Sequence, residues 1–201
     1  MDESLNHSAI NKLRDQVMSA SGKRTVLGQV KENRMILNVG SKVVYPHQGP
    51  CLIGAVVNKV IGGTVTSFYR LALLDNSGDE LFVPVDKVRT LGMRQLIAKS
   101  DIPKLLGCLK KPAAPSLNWK QRIIDNSKLL ASGSASDLAL IIGSLTELNE
   151  TKALSPRDRQ VLDKARKNLI CEISEVIGES KNAVEEQLDN ALNITKGPRN
   201  A

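Results

Sequence analysis

Histidine is nearly absent from this 201-residue chain, with only His7 and His47. Metal sites built on imidazole, and triads that need a base beside a nucleophile, have almost nothing to work with. Cysteine is scarce too. Cys51, Cys108 and Cys171 are odd in number, far apart and without any Cys-x-x-Cys pairing, so neither a disulfide framework nor a zinc cage is suggested. Each reads as a small buried apolar residue. No apolar run approaches the roughly 18 residues of a membrane span, and the longest clean one, Cys51 to Val57, is broken by Gly54. The opening Met1-Asp2-Glu3-Ser4 lacks the basic region and apolar block of a secretory signal, which makes the cytoplasm the expected compartment. A phosphate loop, a Gly-x-Ser-x-Gly elbow and a His-Glu-x-x-His pair are missing as well. The expectation is therefore a protein that is not an enzyme, with no cofactor, no metal and no small-molecule substrate.

What the chain does contain is an ordinary globular mixture, 41% hydrophobic and 24% charged. That excludes disorder throughout and suits one large domain or two small ones. The net charge of +7 comes from 28 basic and 21 acidic residues, and the excess is unevenly placed. Positions 94–128 carry Arg94, Lys99, Lys104, Lys110, Lys111, Lys120, Arg122 and Lys128 against Asp101 and Asp125, whereas positions 172–189 are rich in acids and hold only Lys181 as a cation. A basic stretch of that density suits phosphates; a solvated helical surface is the alternative that charge alone leaves open. Asp158 with Asp163, and Glu185 with Glu186, read as surface charge rather than as catalytic pairs.

The texture of the sequence changes twice. Residues 1–34 show one short apolar period, Ile10, Leu13 and Val17, and then a polar tail, which predicts a marginal helix and a mobile extension. From 35 to 91 short β-rich runs alternate with turn signals: Ile36–Val39, Lys42–Tyr45, Cys51–Ile61, Thr64–Leu74 and Glu80–Val85, separated by Gly40, Pro46–Pro50, Gly62-Gly63 and Asp75–Gly78. Five such strands predict an SH3/Tudor-like β-barrel. Pro84 marks an edge or a bulge. From 92 to 195 helical periodicity takes over, and the caps are readable. Ser100-Asp101-Ile102-Pro103 opens a helix that Lys111–Pro115 ends, Asn118 caps a second from Trp119 to Ala131, and a third spans about 135–152. Ser155-Pro156 opens a long helix closed by Gly178, and Ser180 caps the last. The fold class is thus α+β multidomain, a small N-terminal barrel followed by a compact all-α domain, with a tail at 196–201.

Trp119 is the only tryptophan in a chain with 2% aromatics, and it sits at a helix start beside Lys120 and Arg122. By composition alone it reads as core or inter-domain packing. The competing role is an apolar wedge against nucleic-acid bases, flanked by cations that hold phosphates.

The segment Val43-Val44-Tyr45-Pro46-His47-Gln48-Gly49, the Gly62-Gly63 turn, Phe82-Val83-Pro84-Val85 and Leu91-Gly92-Met93-Arg94 resemble the N-terminal domain of the CarD/CdnL family of bacterial transcription regulators. This module is shared with the transcription-repair coupling factor. The second half agrees independently. Asn118-Trp119-Lys120-Gln121-Arg122, Leu130–Gly133, Leu154–Arg159 and Lys164-Ala165-Arg166 are similar to the family's helical DNA-contacting domain, in matching order and spacing. The resemblance covers about 35–192. It implies a Tudor-like domain that docks on the β subunit of bacterial RNA polymerase. It also implies a helical domain that lies on promoter DNA, in the minor groove at the upstream edge of the transcription bubble, and stabilises the open complex.

Transferred to this sequence, the resemblance makes Trp119 the wedge. Lys120 and Arg122 become its phosphate contacts, with Arg157, Arg159, Lys164 and Arg166 as further DNA-binding cations. Lys59, Tyr69 and Phe82 become the polymerase-docking residues. Lys59 keeps the basic character the family commonly has on that surface; Phe82 does not, and Gln121 replaces a basic residue beside the tryptophan. The polymerase contact is accordingly expected to be more apolar, or shifted. Tyr45 and Pro46 read as barrel framework. A rival reading is an architectural DNA-binding protein without polymerase contact; an enzyme or nuclease accessory domain is disfavoured by the shortage of histidine and clustered acids. Family members typically begin where Met35 stands, so residues 1–34 are either upstream of the natural start or a tether that adds a partner contact. Mass spectrometry of the native N-terminus decides, since peptides covering 1–34 would sink the first alternative.

Overall fold

The computed structural model describes residues 37–88, 90–109 and 118–192. The extension 1–34, the end of the first helix with Lys110 and Lys111, and the 196–201 tail lie outside the described residues. Five strands, β1 Lys42–Tyr45, β2 Gly49–Ile61, β3 Thr64–Leu73, β4 Glu80–Pro84 and β5 Arg94–Gln95, form one antiparallel sheet in the order β4-β3-β2-β1-β5. The β2–β3 turn is the expected Gly62-Gly63, with φ of 57° and 81°. Positive φ at both central residues is what a tight hairpin turn requires and what glycine adopts without strain.

Two expectations about this half are corrected. Leu37–Val39 is not a strand, and Ile36 lies outside the described residues. Ser41 N–H donates to Asn38 O at 3.0 Å and Gly40 N–H to Ile53 O at 2.7 Å, so the segment turns instead of laddering. Its place beside β1 is taken by Arg94–Gln95. The barrel, moreover, is not closed: no pairing among the described residues joins the edge strands β4 and β5. β5 is only two residues long and β4 ends at Pro84, which has no N–H to offer. Past a register shift the outer ends of β2 and β3, Asn58–Ile61 with Thr64–Ser67, continue beyond β4 as a two-stranded ribbon. The inner face still buries Val43, Cys51, Ile53, Leu71 and Val83.

Five helices follow among the described residues: α1 Ile102–Leu109, α2 Trp119–Ser132, α3 Ala135–Thr151, α4 Pro156–Ile177 and α5 Lys181–Ala191. The ends of α2, α4 and α5 match the caps read from sequence, whereas Ser100 and Asp101 lie in a 3-10 turn before α1 instead of capping it. Asn118 and Ser155 accept backbone N–H groups of the first turns of α2 and α4, Ser180 does so for α5, and Gly133 and Gly178 close α2 and α4 in the left-handed conformation. The middle of α3 is buried almost all round, through Leu138, Ala139, Ile141, Ile142 and Leu145. A helix apolar on every side belongs at the centre of a bundle, and α1, α2 and α4 pack around it. Each such Leu or Ile contributes about 1.5–3 kcal/mol on burial. No described helix is long and apolar enough to cross a membrane. Cys51 and Cys171 are buried as expected, and burial pushes their thiols up to about 12 and about 11. Cys108 is exposed, contrary to expectation, because it faces outward from the short α1.

Sheet and helices meet through a polar joint. Arg94 of β5 donates to both carboxylate oxygens of Glu172 on α4, at 2.6 and 2.8 Å, and its Nε and Nη2 donate to Gly133 O at 2.8 and 2.6 Å. Glu172 also accepts Ile97 N–H at 2.8 Å, and its side chain is 1% exposed. Around this centre, Lys42 pairs with Glu175 and Lys167 with Asp75, and Lys181 donates to Leu74 O at 2.6 Å. Burial pushes the Asp75 carboxyl up, but hydrogen bonds from Lys167 and Ser77 hold it well below the usual carboxylate range. Pro46 belongs to this joint as well as to the framework. A Cβ built on Gly133 would lie 3.1 Å from Pro46 Cα, so only glycine combines the left-handed turn with that approach.

Arg94→Met leaves Glu172 buried without its cation, and the expected loss is about 3–5 kcal/mol of folding free energy. Urea denaturation reads it as a lower midpoint; a loss below about 1 kcal/mol, the scale of a surface pair, would mean that apolar packing alone holds the joint.

Candidate functional site

The first turn of α2 is set by Asn118, whose Oδ1 accepts Lys120 N–H at 3.0 Å and Gln121 N–H at 3.5 Å. This cap places Trp119 at the helix start, outside any core, with 59% of its surface exposed. The packing role that composition suggests is therefore excluded. Lys120 Nζ lies 5.6 Å from the indole centroid, within cation–π range.

Arg122 is placed differently from Lys120. Its Nε and Nη2 donate to Asp158 Oδ1 and Oδ2 at 3.2 and 2.9 Å, and the two side chains are only 13% and 3% exposed. Asp158 also accepts the Ser155 hydroxyl at 2.8 Å, and its own N–H donates back to Ser155 Oγ at 3.1 Å. The hydrogen bond from Arg122 outweighs the opposing effect of burial and lowers the Asp158 carboxyl below the usual carboxylate range. Asp158 is thus not the surface charge read from sequence. The signal was hidden because its partner lies 36 positions away. Arg122 is accordingly committed to pinning α2 onto the start of α4.

Between these elements lies a concavity of about 380 Å³, lined by Trp119, Ile123, Leu148, Lys152 and Ala153 with the Arg122–Asp158 pair and Ser155. Lys152, at the end of α3, is a cation that sequence reasoning missed. No local motif marks it, and only the packing of α3 against α2 brings it beside the tryptophan.

The remaining cations of α4 do not form one patch. At 100° per residue, Arg157 and Lys164 share one side of the helix, while Arg159 and Arg166 share the opposite one. Arg157 and Arg159 are exposed and Lys164 is half-buried. Arg166 is bound to Asp189 of α5 at 2.6 Å, with Glu185 at 3.6 Å. In the basic stretch read from sequence, Arg94 and Arg122 are engaged in ion pairs, and among the described residues the exposed cations are Lys99, Lys104, Lys120 and Lys128.

On the sheet, Lys59 and Phe82 come together, with Lys59 Nζ 3.4 Å from the Phe82 ring centroid and 6.0 Å from that of Phe68. Phe82 remains 42% exposed. Tyr69 does not join them: it follows Phe68 in β3 and pairs with Val83 in β4, so strand alternation puts it on the opposite face. That second face carries exposed Val56, Val60 and Val65 along the ribbon.

Two family models match the chain in order. The one described as CarD-like/TRCF RID domain covers residues 37–97, and the one described as CarD, C-terminal domain covers residues 104–189. The chain is also 22% identical over 144 residues to YdeB of Bacillus subtilis (strain 168), whose name marks it as a candidate transcription factor. That match covers 71% of this chain and 94% of the relative.

Because the Asp158 carboxyl is lowered in the folded state, the stability it contributes is fully present above the ordinary carboxylate pKa and is lost as pH falls through its own lower value. Asp158→Asn is expected to cost about 3–5 kcal/mol at neutral pH, by removing the buried carboxylate that the Arg122 guanidinium binds. Denaturation midpoints measured from pH 6 down to pH 2 should also fall less steeply in the variant; parallel acid limbs would contradict the assignment.

Proposed function

The chain belongs to the CarD family of transcription regulators, and from that premise we propose that it acts during initiation by holding RNA polymerase and promoter DNA at once. The sheet-bearing segment, which β5 extends to Gln95, docks on the polymerase β subunit, as the match of residues 37–97 to an RNA polymerase-interacting domain supports. The helical segment that follows lies on DNA at the upstream edge of the bubble, in the cytoplasm where polymerase works.

The observation that carries this reading is Trp119: a large indole held in solvent at a capped helix start, with an exposed lysine over it. Inserted at a partly unstacked step, an indole offsets lost stacking, while Lys120 and Lys152 supply salt-dependent attraction to phosphates. Arg157 and Arg159 add exposed charge at the start of α4. Arg122 contributes by position, since its guanidinium is engaged with Asp158, and Arg166 by tying α4 to α5. Such a protein stabilises the open complex to the extent that it binds that state better than the closed one, because differential affinity is what shifts an equilibrium.

For polymerase, the docking surface is the face with Lys59 and Phe82. Its mixture of a cation and an exposed ring agrees with a more apolar contact than a purely basic one. Tyr69, on the other face, serves the sheet.

Capture of bacterial RNA polymerase by the full chain tests the division of labour and separates this reading from an architectural DNA-binding protein. Wild type and Trp119→Ala are expected to retain polymerase equally, and Phe82→Glu to lose it. No capture by any of the three would favour the architectural alternative. In DNA titrations, Lys120→Ala should weaken binding to all sequences and lower the slope of log K against log salt by roughly one.

A further inference from the structure

The outer edge of β2 is unpaired along most of its length. Beside β1 the ladder stops at Ile53, whose N–H donates to Ser41 O at 2.9 Å and whose carbonyl accepts Gly40 N–H at 2.7 Å. From Gly54 to Ile61 no strand among the described residues lies on that side. We propose that this edge pairs antiparallel with the same edge of a second copy of the chain, about a two-fold axis at Asn58, and joins the two sheets into one.

The register follows from the hairpin. Gly62-Gly63 is a two-residue turn, so its flanks Ile61 and Thr64 form a hydrogen-bonded pair, and bonded and non-bonded pairs alternate from there. Ile61, Lys59 and Val57 thus direct their backbone groups at β3, while Val60, Asn58 and Val56 aim theirs outward. Between the Gly62 turn and the engaged Ile53, the stretch Ala55–Ile61 is centred on Asn58. Rotated about that residue, the edge sets Asn58 opposite Asn58 of the copy and Val56 opposite Val60 in both directions, so these outward N–H and C=O groups all find mates. The side chains of the same residues lie on the inner face, where Val56, Val60 and Val65 are 47%, 71% and 66% exposed. There the Ser67 hydroxyl donates to Asn58 Oδ1 at 2.8 Å, which directs the amide nitrogen to the axis. Charge favours a copy over an ionic partner. Val56, Asn58, Val60, Val65 and Ser67 carry none, and Lys59, the one ion on the edge, is drawn to the outer face with its Nζ 3.4 Å from the Phe82 ring centroid. Proline and an outstretched lysine, which guard edges that stay single, are missing from Gly54–Ile61. Stable dimers bury about 800 Å² per partner through about 20–30 residues. This edge and its valines are a smaller set, and each chain carries +7, so the pair forms and separates with concentration, and salt that screens the repulsion promotes it.

Sedimentation equilibrium of the full chain, from micromolar to near-millimolar protein at low and moderate salt, tests the pairing. The weight-average mass is expected to rise from that of the 21.8 kDa chain toward twice that value, and to do so at lower concentration when salt is added. Val60→Lys, at an exposed position, sets a cation against Val56 of the copy and should hold the protein at monomer mass throughout, with its urea midpoint unchanged. Cross-linking reads the register. In a Cys108→Ser background, which removes the exposed native thiol, Asn58→Cys should give a disulfide-linked dimer under diamide, because directly opposed residues of a bonded pair stand about 5.5 Å apart at Cα, within disulfide reach. Thr66→Cys, one strand farther from the axis, should stay monomeric. Monomer mass for wild type at every concentration would overturn the proposal, as would association that Val60→Lys leaves intact. Equal cross-linking at positions 58 and 66 would overturn the two-fold at Asn58. Association that salt disperses would assign the contact to opposite charges elsewhere on the molecule and remove it from this edge.

Discussion

The guanidinium of Arg94 is the constraint on which the rest of the arrangement depends. It leaves the last strand of the sheet, spans the carboxylate of Glu172 on α4, and reaches the carbonyl of Gly133 just beyond α2. Three elements are thereby fixed by one planar, five-donor group. A buried ion pair of this kind adds little net stability over an apolar contact, since desolvation offsets most of the attraction. What it supplies is direction, because a forked donor set matches a carboxylate in only a few orientations. Cation and helix C-terminus also agree in sign, as the carbonyl end carries partial negative charge.

The second pair, Arg122–Asp158, does for the start of α2 what Arg94 does for its end. Held at both ends against α4, the helix presents Trp119 in one place relative to the sheet. The surface with Lys59 and Phe82 and the surface with Trp119 are therefore parts of one compact unit, joined also by Lys42–Glu175, Lys167–Asp75 and Lys181 on the 74–76 loop. For a protein that bridges polymerase and DNA, such joining means that binding energy gained at one surface is not spent on ordering the other.

Much of this was legible in the sequence, and the legible part is local. Asn118, Ser155-Pro156, Gly178 and Ser180 mark helix ends through hydrogen bonds that span two to four residues, and Gly62-Gly63 marks a turn through backbone geometry alone. What stayed hidden is non-local. Whether five strands close a barrel depends on the pairing of β4 with β5, and nothing within either strand encodes it. Arg94, Arg122 and Arg166 look alike in a basic sequence, but their partners Glu172, Asp158 and Asp189 stand 78, 36 and 23 positions away. The tryptophan was recognisable as unusual; that it stands at the rim of a pocket with Lys152 depends on three helices packing together.

Removing the engaged Arg122 and Arg166 from the list of DNA contacts sharpens the account, because it rests the wedge on Trp119 itself and leaves phosphate attraction to the exposed lysines with Arg157 and Arg159. The most direct measurement is the lifetime of open promoter complexes formed by purified bacterial RNA polymerase, with wild type and with Trp119→Ala, at two salt concentrations. The account predicts a longer lifetime with wild type that disappears in the variant at both salts, while polymerase binding persists. Equal lifetimes with the two proteins would contradict it and leave the exposed indole without a role in promoter opening.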